Sequence, residues 1–398
     1  MSKRAFIFTL FFLVCSFLSV CVNDLWTSQQ EENRLTFLVV GGRGGFIKRF
    51  GEVTPFRKMF YSKDKRMAAE KLLLAISQKP LSKEKILEQT HLSPGEFDDI
   101  SSLLLSLNMV ASVADTWVTT LPVITDQEMS ALRETLSPLA DNIAVDVTHF
   151  IPQIKNTYDE YRSSSDPEWE KVAHLFISYF MLDISLLGSL RALENKKGFR
   201  QYYSEKQKII PAFFLETGKN FTNFGCNSYS FVSDDKKIRV FVFVLHGTLF
   251  DRIQIQVNRY ENNLDFKSAL FRLIPQDGNL PLSDKEKKIL EPLEWIEEGK
   301  LMVPVMDGNV RKHLSSITAK AAENAAEKTF KNFGVILDAF QRSPYSKFLD
   351  GAGDYIQYSY HILMYLSIEK LIERGLLPPI PRPVPSYFGT YIIYSRSD

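Results

Sequence analysis

The spacing of apolar and polar residues changes several times along the chain. In "KRMAAEKLLLAIS", Met67, Leu72, Leu73 and Ile76 fall on one face of a helix, and "LSKEKILEQT" continues as a second short helix with Ser82 as its N-cap. A third helix opens at Ser93-Pro94-Gly95-Glu96, a capping box with proline at the first helical position, and turns Ile100, Leu103, Leu104 and Leu107 to a core. "MVASV", a turn at Ala114 and Asp115, and "TWVTTLPVI" then follow the two-residue period of a hairpin. Residues 126–197 return to helical spacing, and "HLFISYFMLDISLL" within them is apolar nearly all round, which predicts central burial. Residues 198–263 form a β-rich section: "AFFLETG", "SYSFVSDDKKIRVFVFVLHG" and "RIQIQVNRY" read as strands, with "SDDKK" as a hairpin tip. The predicted fold class is α+β, mainly helical.

Three helices with the last two joined by a tight turn, followed by a hairpin, over residues 61–125, resemble the winged helix-turn-helix of ArsR-like and MarR-like regulators. The resemblance covers about one sixth of the chain and rests on pattern. It implies a module whose third helix would face DNA.

Part of the pattern recurs. "TTLPVITDQEMSALRETLSPLADNIA" and "KLMVPVMDGNVRKHLSSITAKAAENA" both run strand, Pro-Val, short turn and helix, and Pro122/Pro304, Val123/Val305 and Leu132/Leu314 share one offset of 182 residues. "HLFISYFMLDISLL" has a counterpart in "YSYHILMYLSIEKL" at nearly that offset. An ordered series of this kind predicts an internal duplication, with residues 264–375 a degenerate second winged-helix and helical repeat. The alternative is chance likeness between helical segments under shared patterning. In the tail, residues 376–398, Pro378, Pro379, Pro381, Pro383 and Pro385 predict an extended strap before a final strand, or else a ligand for an SH3-like domain.

At the N-terminus, Lys3 and Arg4 precede an uncharged apolar run from Ala5 to Val22, so residues 1–22 read as a signal peptide or a membrane anchor. Either one sends the body of the protein out of the cytoplasm. A buried helix in a cytosolic protein is the remaining reading. "LSVC", Leu18–Cys21, resembles a bacterial lipobox, with Val20 departing from the small residue preferred there; the resemblance implies lipidation of Cys21. Residues 23–60 read as a linker with one short strand, and the spacing of Gly41, Gly42, Gly44 and Gly45 fits a turn and neither phosphate-binding motif. Cys15 and Cys21 lie in the leader, so loss of the leader beyond Cys21 leaves Cys226 alone and no intramolecular disulfide.

With 398 residues, 45% hydrophobic and 24% charged, and a net charge of +1, the chain is neither disordered nor broadly basic. Charge also bears on the winged-helix resemblance. Between Tyr61 and Asp146 there are eight Lys and Arg against thirteen Asp and Glu, a net of −5, and the third helix begins with Glu96, Asp98 and Asp99. Phosphates would be repelled there, whereas an acidic first turn suits the helix dipole.

The chemistry-bearing residues are few. A search for a nucleophile elbow, an S-x-x-K motif or a cysteine in a family signature gives no convincing instance, and the helical pairs Asp146/His149 and Glu170/His174 are two ligands each, too few for a metal site. No catalytic, cofactor-binding or metal-binding residue is therefore assigned, and no cofactor is expected. Asp183 in "YFMLDISLL" and His361 in "YSYHILMYL" are polar groups within apolar helices, which must find partners and are candidates to line a pocket. His246, after the strand "RVFVFVL", is a third candidate. These features predict an exported or membrane-tethered, non-enzymatic binding or scaffold protein with a protein or envelope component as partner. The alternatives are a winged-helix transcriptional regulator and, with less to support it, a hydrolase.

Overall fold

A computed structural model describes residues 35–39, 62–162, 166–203, 212–216, 224–232, 236–245, 263–273, 282–297, 300–347, 349, 351–381 and 388–396. The leader with Cys21, the four-glycine turn, the segment "RIQIQVNRY" and His246 lie outside the described residues. The architecture is α+β and mainly helical, with small sheets.

After the short strand β1 (Leu35–Val39), α1 (Lys63–Ile76) is capped by the side chain of Ser62. A two-residue strand, β2 (Leu81–Ser82), leads directly into α2 (Lys83–Thr90), so Ser82 ends one element and caps the next. Helix α3 (Pro94–Ser106) starts at the predicted capping box: Glu96 N donates to Ser93 Oγ at 3.2 Å and Ser93 N to Glu96 Oε2 at 2.8 Å. Strands β3 (Val110–Val113) and β4 (Thr116–Thr119) form the predicted hairpin, with Ala114 and Asp115 at positive φ in its turn. Strand β2, which sequence patterning does not reveal, pairs antiparallel with β4, giving the order β2-β4-β3. Phe97 of α3 meets Trp117 of β4 edge to face at 5.2 Å and joins Ile100 and Leu104 in the core.

Next come β5 (Val123–Ile124), α4 (Asp126–Thr148) and α5 (Ile151–Tyr161). Helix α6 (Trp169–His174) passes into a π-helical segment (Leu175–Leu186) and then α7 (Leu187–Lys196), which ends before a 3-10 turn (Phe199–Tyr202). The run Trp169–Lys196 is long and apolar enough to cross a membrane, but most of it is buried against protein.

The β-rich section does not form one sheet. Its strand β6 (Ala212–Glu216) lies between β1, antiparallel, and β5, parallel, while β7 (Phe224–Val232) and β8 (Lys236–Leu245) belong to another sheet.

The chain continues through α8 (Leu264–Arg272), α9 (Asp284–Leu290), a 3-10 turn (Glu291–Leu293), and the short strands β9 (Ile296–Glu297) and β10 (Lys300–Leu301). Strand β11 (Val305–Asp307), α10 (Gly308–Lys331), α11 (Phe333–Arg342), a 3-10 turn (Pro344–Lys347), α12 (Gly353–Glu373) and the final strand β12 (Thr390–Arg396) complete it. The second sheet has the order β11-β12-β8-β7, with β11 parallel to β12 and β8 antiparallel to it.

Two compact units result, each assembled from three stretches: 1–137, 194–221 and 332–362 in the first, 138–193, 222–331 and 363–398 in the second. The first has a core of Leu72, Ile86, Ile100 and Leu104 reaching Phe37 and Phe214 of its sheet. In the second, Trp295, Phe266 and Leu290 pack with Val240 and Ile392. Burial of this apolar area is the main source of stability in each.

Candidate functional site

In the first unit one set of buried polar side chains converges on a single carboxylate. Glu194, near the end of α7, is 1% exposed. Its Oε1 accepts from Tyr203 Oη and from Tyr360 Oη, both at 2.7 Å. Gln357 donates through Nε2 to Tyr203 Oη at 2.9 Å. On the same face of α12, four residues on, the His361 ring nitrogen Nδ1 lies 2.7 Å from Gln357 O. A carbonyl only accepts, so Nδ1 carries the proton. Hydrogen bonds to a buried carboxylate are among the stronger ones, and they hold α7, Tyr203 and α12 in register. Asp354, wholly buried at the start of α12, accepts from Ala212 N of β6 at 3.0 Å.

A second polar knot closes the edge of β5. Thr125 and Glu128 form a capping box at the start of α4, with Thr125 N donating to Glu128 Oε2 at 2.9 Å. Tyr345, 0% exposed, brings its hydroxyl to 2.5 Å from Val123 O and 2.7 Å from Glu128 Oε2. Burial raises the Glu128 carboxyl above its ordinary range, opposed by the Tyr345 and Thr125 hydrogen bonds, and burial likewise raises the Tyr345 phenol.

In the second unit, Asp183 lies in the π-helical segment and is half-buried. Desolvation pushes its carboxyl up to about 7, with Arg191 pulling it down. Of the paired residues read from spacing, His174 is bound through Nε2 to Pro378 O at 2.7 Å and through Nδ1 to Ser178 Oγ at 3.1 Å, which ties down the start of the proline-rich tail. Asp146 pairs with Lys328. Among the described residues no group of three or more His, Cys, Asp or Glu could hold a metal ion.

The second unit also has an open cleft of 180 Å³, between the C-terminal turn of α5 and the outer edge of β11. Tyr158, Tyr161, Val305, Val310 and Tyr394 supply much of its wall, with Arg162, Asp166 and Asp307 as its charged groups. Tyr158 donates to Pro167 O at 2.6 Å, Arg162 pairs with Asp159 at 3.2 Å, and Asp166 Oδ1 accepts from Val305 N at 3.4 Å. Tyr161 is 51% exposed, with His313 edge-on at 6.2 Å. The arrangement offers aromatic surface and a strand edge, the furniture of a binding cleft.

The sequence candidates thus separate: His361 belongs to the first unit's Glu194 cluster and Asp183 to the second unit, where it is not among the residues lining the cleft. Sequence reasoning missed the Glu194 cluster, the Glu128–Tyr345 knot and the cleft. Only the T-x-x-E spacing of Thr125 and Glu128 was a readable sign. The chain matches no family model, no curated protein and no solved structure in the comparisons made with them.

Asp183 gives a pH-dependent expectation. Its folded-state pKa lies above the ordinary carboxylate value, so its contribution to stability is greatest below that value and is lost as pH rises through about 7. Asp183→Asn should therefore gain on the order of 1 kcal/mol over the parent at pH 8 relative to pH 5, a figure discounted for partial solvent access. Urea unfolding at both pH values reads the difference; an unchanged gap between the two proteins would refute the shift.

Proposed function

We propose that the chain is a non-enzymatic binding or scaffold protein, exported or tethered by its N-terminus, built from two copies of a winged-helix-like unit. Support for the first copy is the order helix, strand, helix, helix, hairpin, with β2 closing on β4. Support for the second is a matching set of local bonds. Phe214 N donates to Pro122 O at 2.9 Å and Ile392 N to Pro304 O at 3.0 Å, each beside a parallel strand pair. Helices α4 and α10, and α5 and α11, start 182 residues apart, at Asp126 and Gly308 and at Ile151 and Phe333. Asn108 and Glu294 both take positive φ at the end of the helical segment before a hairpin, and Thr120 N to Met109 O is matched by Met302 N to Trp295 O. The second hairpin is shorter, which accounts for the weaker sequence signal there.

One observation carries the binding reading over DNA recognition. Helix α3 spends its acids within the module: Glu96 caps the helix, and Asp98 pairs with Lys83 at 2.5 Å. The rest of its outer face is Asp99, Ser102 and a part-exposed Leu105, a surface that suits a protein partner and offers phosphate nothing.

The test combines the intact mass of the mature protein, protease accessibility in spheroplasts, and anisotropy titration with random-sequence duplex DNA at low salt. The expected outcome is a processed or membrane-held, protease-accessible body with no salt-dependent DNA binding. An intact, protected chain that binds duplex in low salt would replace this reading with the transcriptional regulator.

A further inference from the structure

The four-stranded sheet of the second unit has two faces of different character. In β8, Ile238, Val240 and Val242 turn inward to the core, so Lys237, Arg239 and Phe241 turn outward. Register sets Val232 and Ser230 of β7 opposite Lys237 and Arg239, and sets Ile393 and Tyr391 of β12 opposite Arg239 and Phe241. The β12 part of this outer face is covered: α10 packs against the strand, and Tyr179 and Phe180 of the π-helical segment lie 5.7 and 5.0 Å from the Tyr391 ring. The β7 and β8 part is open. Ser230 is exposed, Val232 is 69% exposed, and Lys237, Arg239 and Phe241 are half-buried.

A third cation completes a row. Arg311, in the first turns of α10, holds its guanidinium 5.6 Å from the centre of the Phe241 ring, which itself stacks on Tyr391 at 4.7 Å. Alternate residues of a strand are about 6.8 Å apart, so Lys237, Arg239 and the Arg311 group over Phe241 form a line of positive charges at roughly that interval. None of the three has a carboxylate partner among the described residues, and Arg311 Nε is buried with no acceptor there. By contrast Arg162 and Arg272 of the same unit are paired, with Asp159 and Glu286. The open strand positions carry no acid, and α10 has none before Glu323. A half-buried guanidinium without an acceptor is costly, because its N–H donors lose water and gain nothing in return.

We propose that this open half-face, between β7 and α10, binds an extended acidic segment of a partner protein, with Lys237, Arg239 and Arg311 taking its carboxylates. An extended peptide repeats its side chains on one face at the same interval as a strand, so carboxylates at alternate positions meet the row one to one. The cations are half-buried beside α10, where a single extended chain reaches them and a flat bilayer surface or a rigid duplex meets only the rim. The proposal rests on the protein-partner reading above and gives that partner a chemistry.

The probe is the labelled peptide acetyl-GDSDSDG-amide, titrated against the full chain by fluorescence anisotropy at low and at physiological ionic strength. Comparisons are acetyl-GNSNSNG-amide, inorganic pyrophosphate, phosphatidylglycerol vesicles and duplex DNA. Binding should weaken with salt and be absent for the asparagine peptide. Arg239→Gln and Arg311→Gln should each weaken it about fivefold and together abolish it, with the thermal midpoint of each variant showing that it is folded. Arg239→Lys keeps the charge and should retain most of the affinity. Lys331→Gln, the same loss of charge at the exposed far end of α10, should change nothing. Absence of peptide binding, equal binding of the asparagine peptide, or binding unaffected by the two folded arginine variants would overturn the proposal. Pyrophosphate, vesicles or duplex binding as tightly as the peptide, and losing affinity in the same variants, would overturn the acidic-segment assignment in favour of that ligand. An exported, accessible chain that ignores the peptide removes the groove alone, whereas an intact, protected chain whose duplex binding survives both arginine substitutions removes the scaffold reading, so the two failures are distinguishable.

Discussion

Tyr345→Ala should destabilise the first unit by about 4 kcal/mol, combining the cavity left by a large buried ring with the loss of its hydroxyl contacts. The ring is 0% exposed and lies 6.2 Å from that of Tyr355, so little solvent or side-chain rearrangement is at hand to fill the space. Tyr345→Phe separates the two contributions, because it keeps the ring and removes only the hydroxyl that meets Val123 O and Glu128; about 1–2 kcal/mol is expected for it. The phenylalanine variant should also make stability fall more steeply as pH rises above the ordinary carboxylate range. Glu128 already holds its proton more tightly folded than unfolded, and loss of the phenol removes one of the hydrogen bonds that oppose this. Hydrogen exchange of β5 and β6 amides is the suitable measurement, since a two-unit chain need not unfold in one step. Equal protection in the alanine and phenylalanine variants would mean that the ring is not packed as described.

Gly353→Ala is the second large effect, and its cause lies outside backbone conformation. A Cβ at Gly353 would stand 2.2 Å from Cδ1 and 2.7 Å from Cγ of Tyr203, the near end of a ring that cannot swing away without breaking its bonds to Glu194 and Gln357. Overpacking of this kind costs about 3 kcal/mol. A double-mutant cycle isolates the clash. With Tyr203→Ala already made, alanine at 353 meets open space, and the helix preference for alanine over glycine, about 1 kcal/mol in a helix interior and less at this first turn, should make the same change neutral or mildly stabilising. Additive losses would show that the close approach of ring and backbone is not what sets the cost.

The parts of the fold that could be read from sequence are those decided within a few residues. Ser93 and Glu96 mark the start of α3 because the capping box is a local exchange of hydrogen bonds, and the Ala114-Asp115 turn follows from the need for positive φ between two short strands. Strand β2 has only two residues, too few to show a period, and only β4 gives it a partner. The strands of residues 198–263 were recognisable by alternation, but alternation tells which face is buried and says nothing about neighbours, so their division between two sheets depends on β1, β5, β11 and β12 arriving from far along the chain. The all-apolar run at Leu175–Leu186 announced burial without announcing its π-helical bonding. Glu194 was passed over because "RALENK" has the composition of an exposed helix end; its burial comes from Tyr203 and from α12, more than 150 residues later. The cleft was invisible for a related reason, because Tyr158 and Tyr161 on one side and Val305 and Val310 on the other come together only in the folded chain.

The way the chain threads through its two units bears on how it is made. The first unit draws on residues 332–362, more than a hundred positions beyond its preceding stretch, which ends at 221. On the ribosome, the N-terminal part of this protein therefore cannot close as a finished domain while the chain is still emerging, in contrast to the usual order of folding during synthesis. Tyr345, which seals the β5 edge, and α12, which supplies two of the groups around Glu194, both arrive late. Completion of the first unit thus waits on residues 332–362, so a chain released before that stretch is made should lack the protected β5 and β6 amides of the full protein.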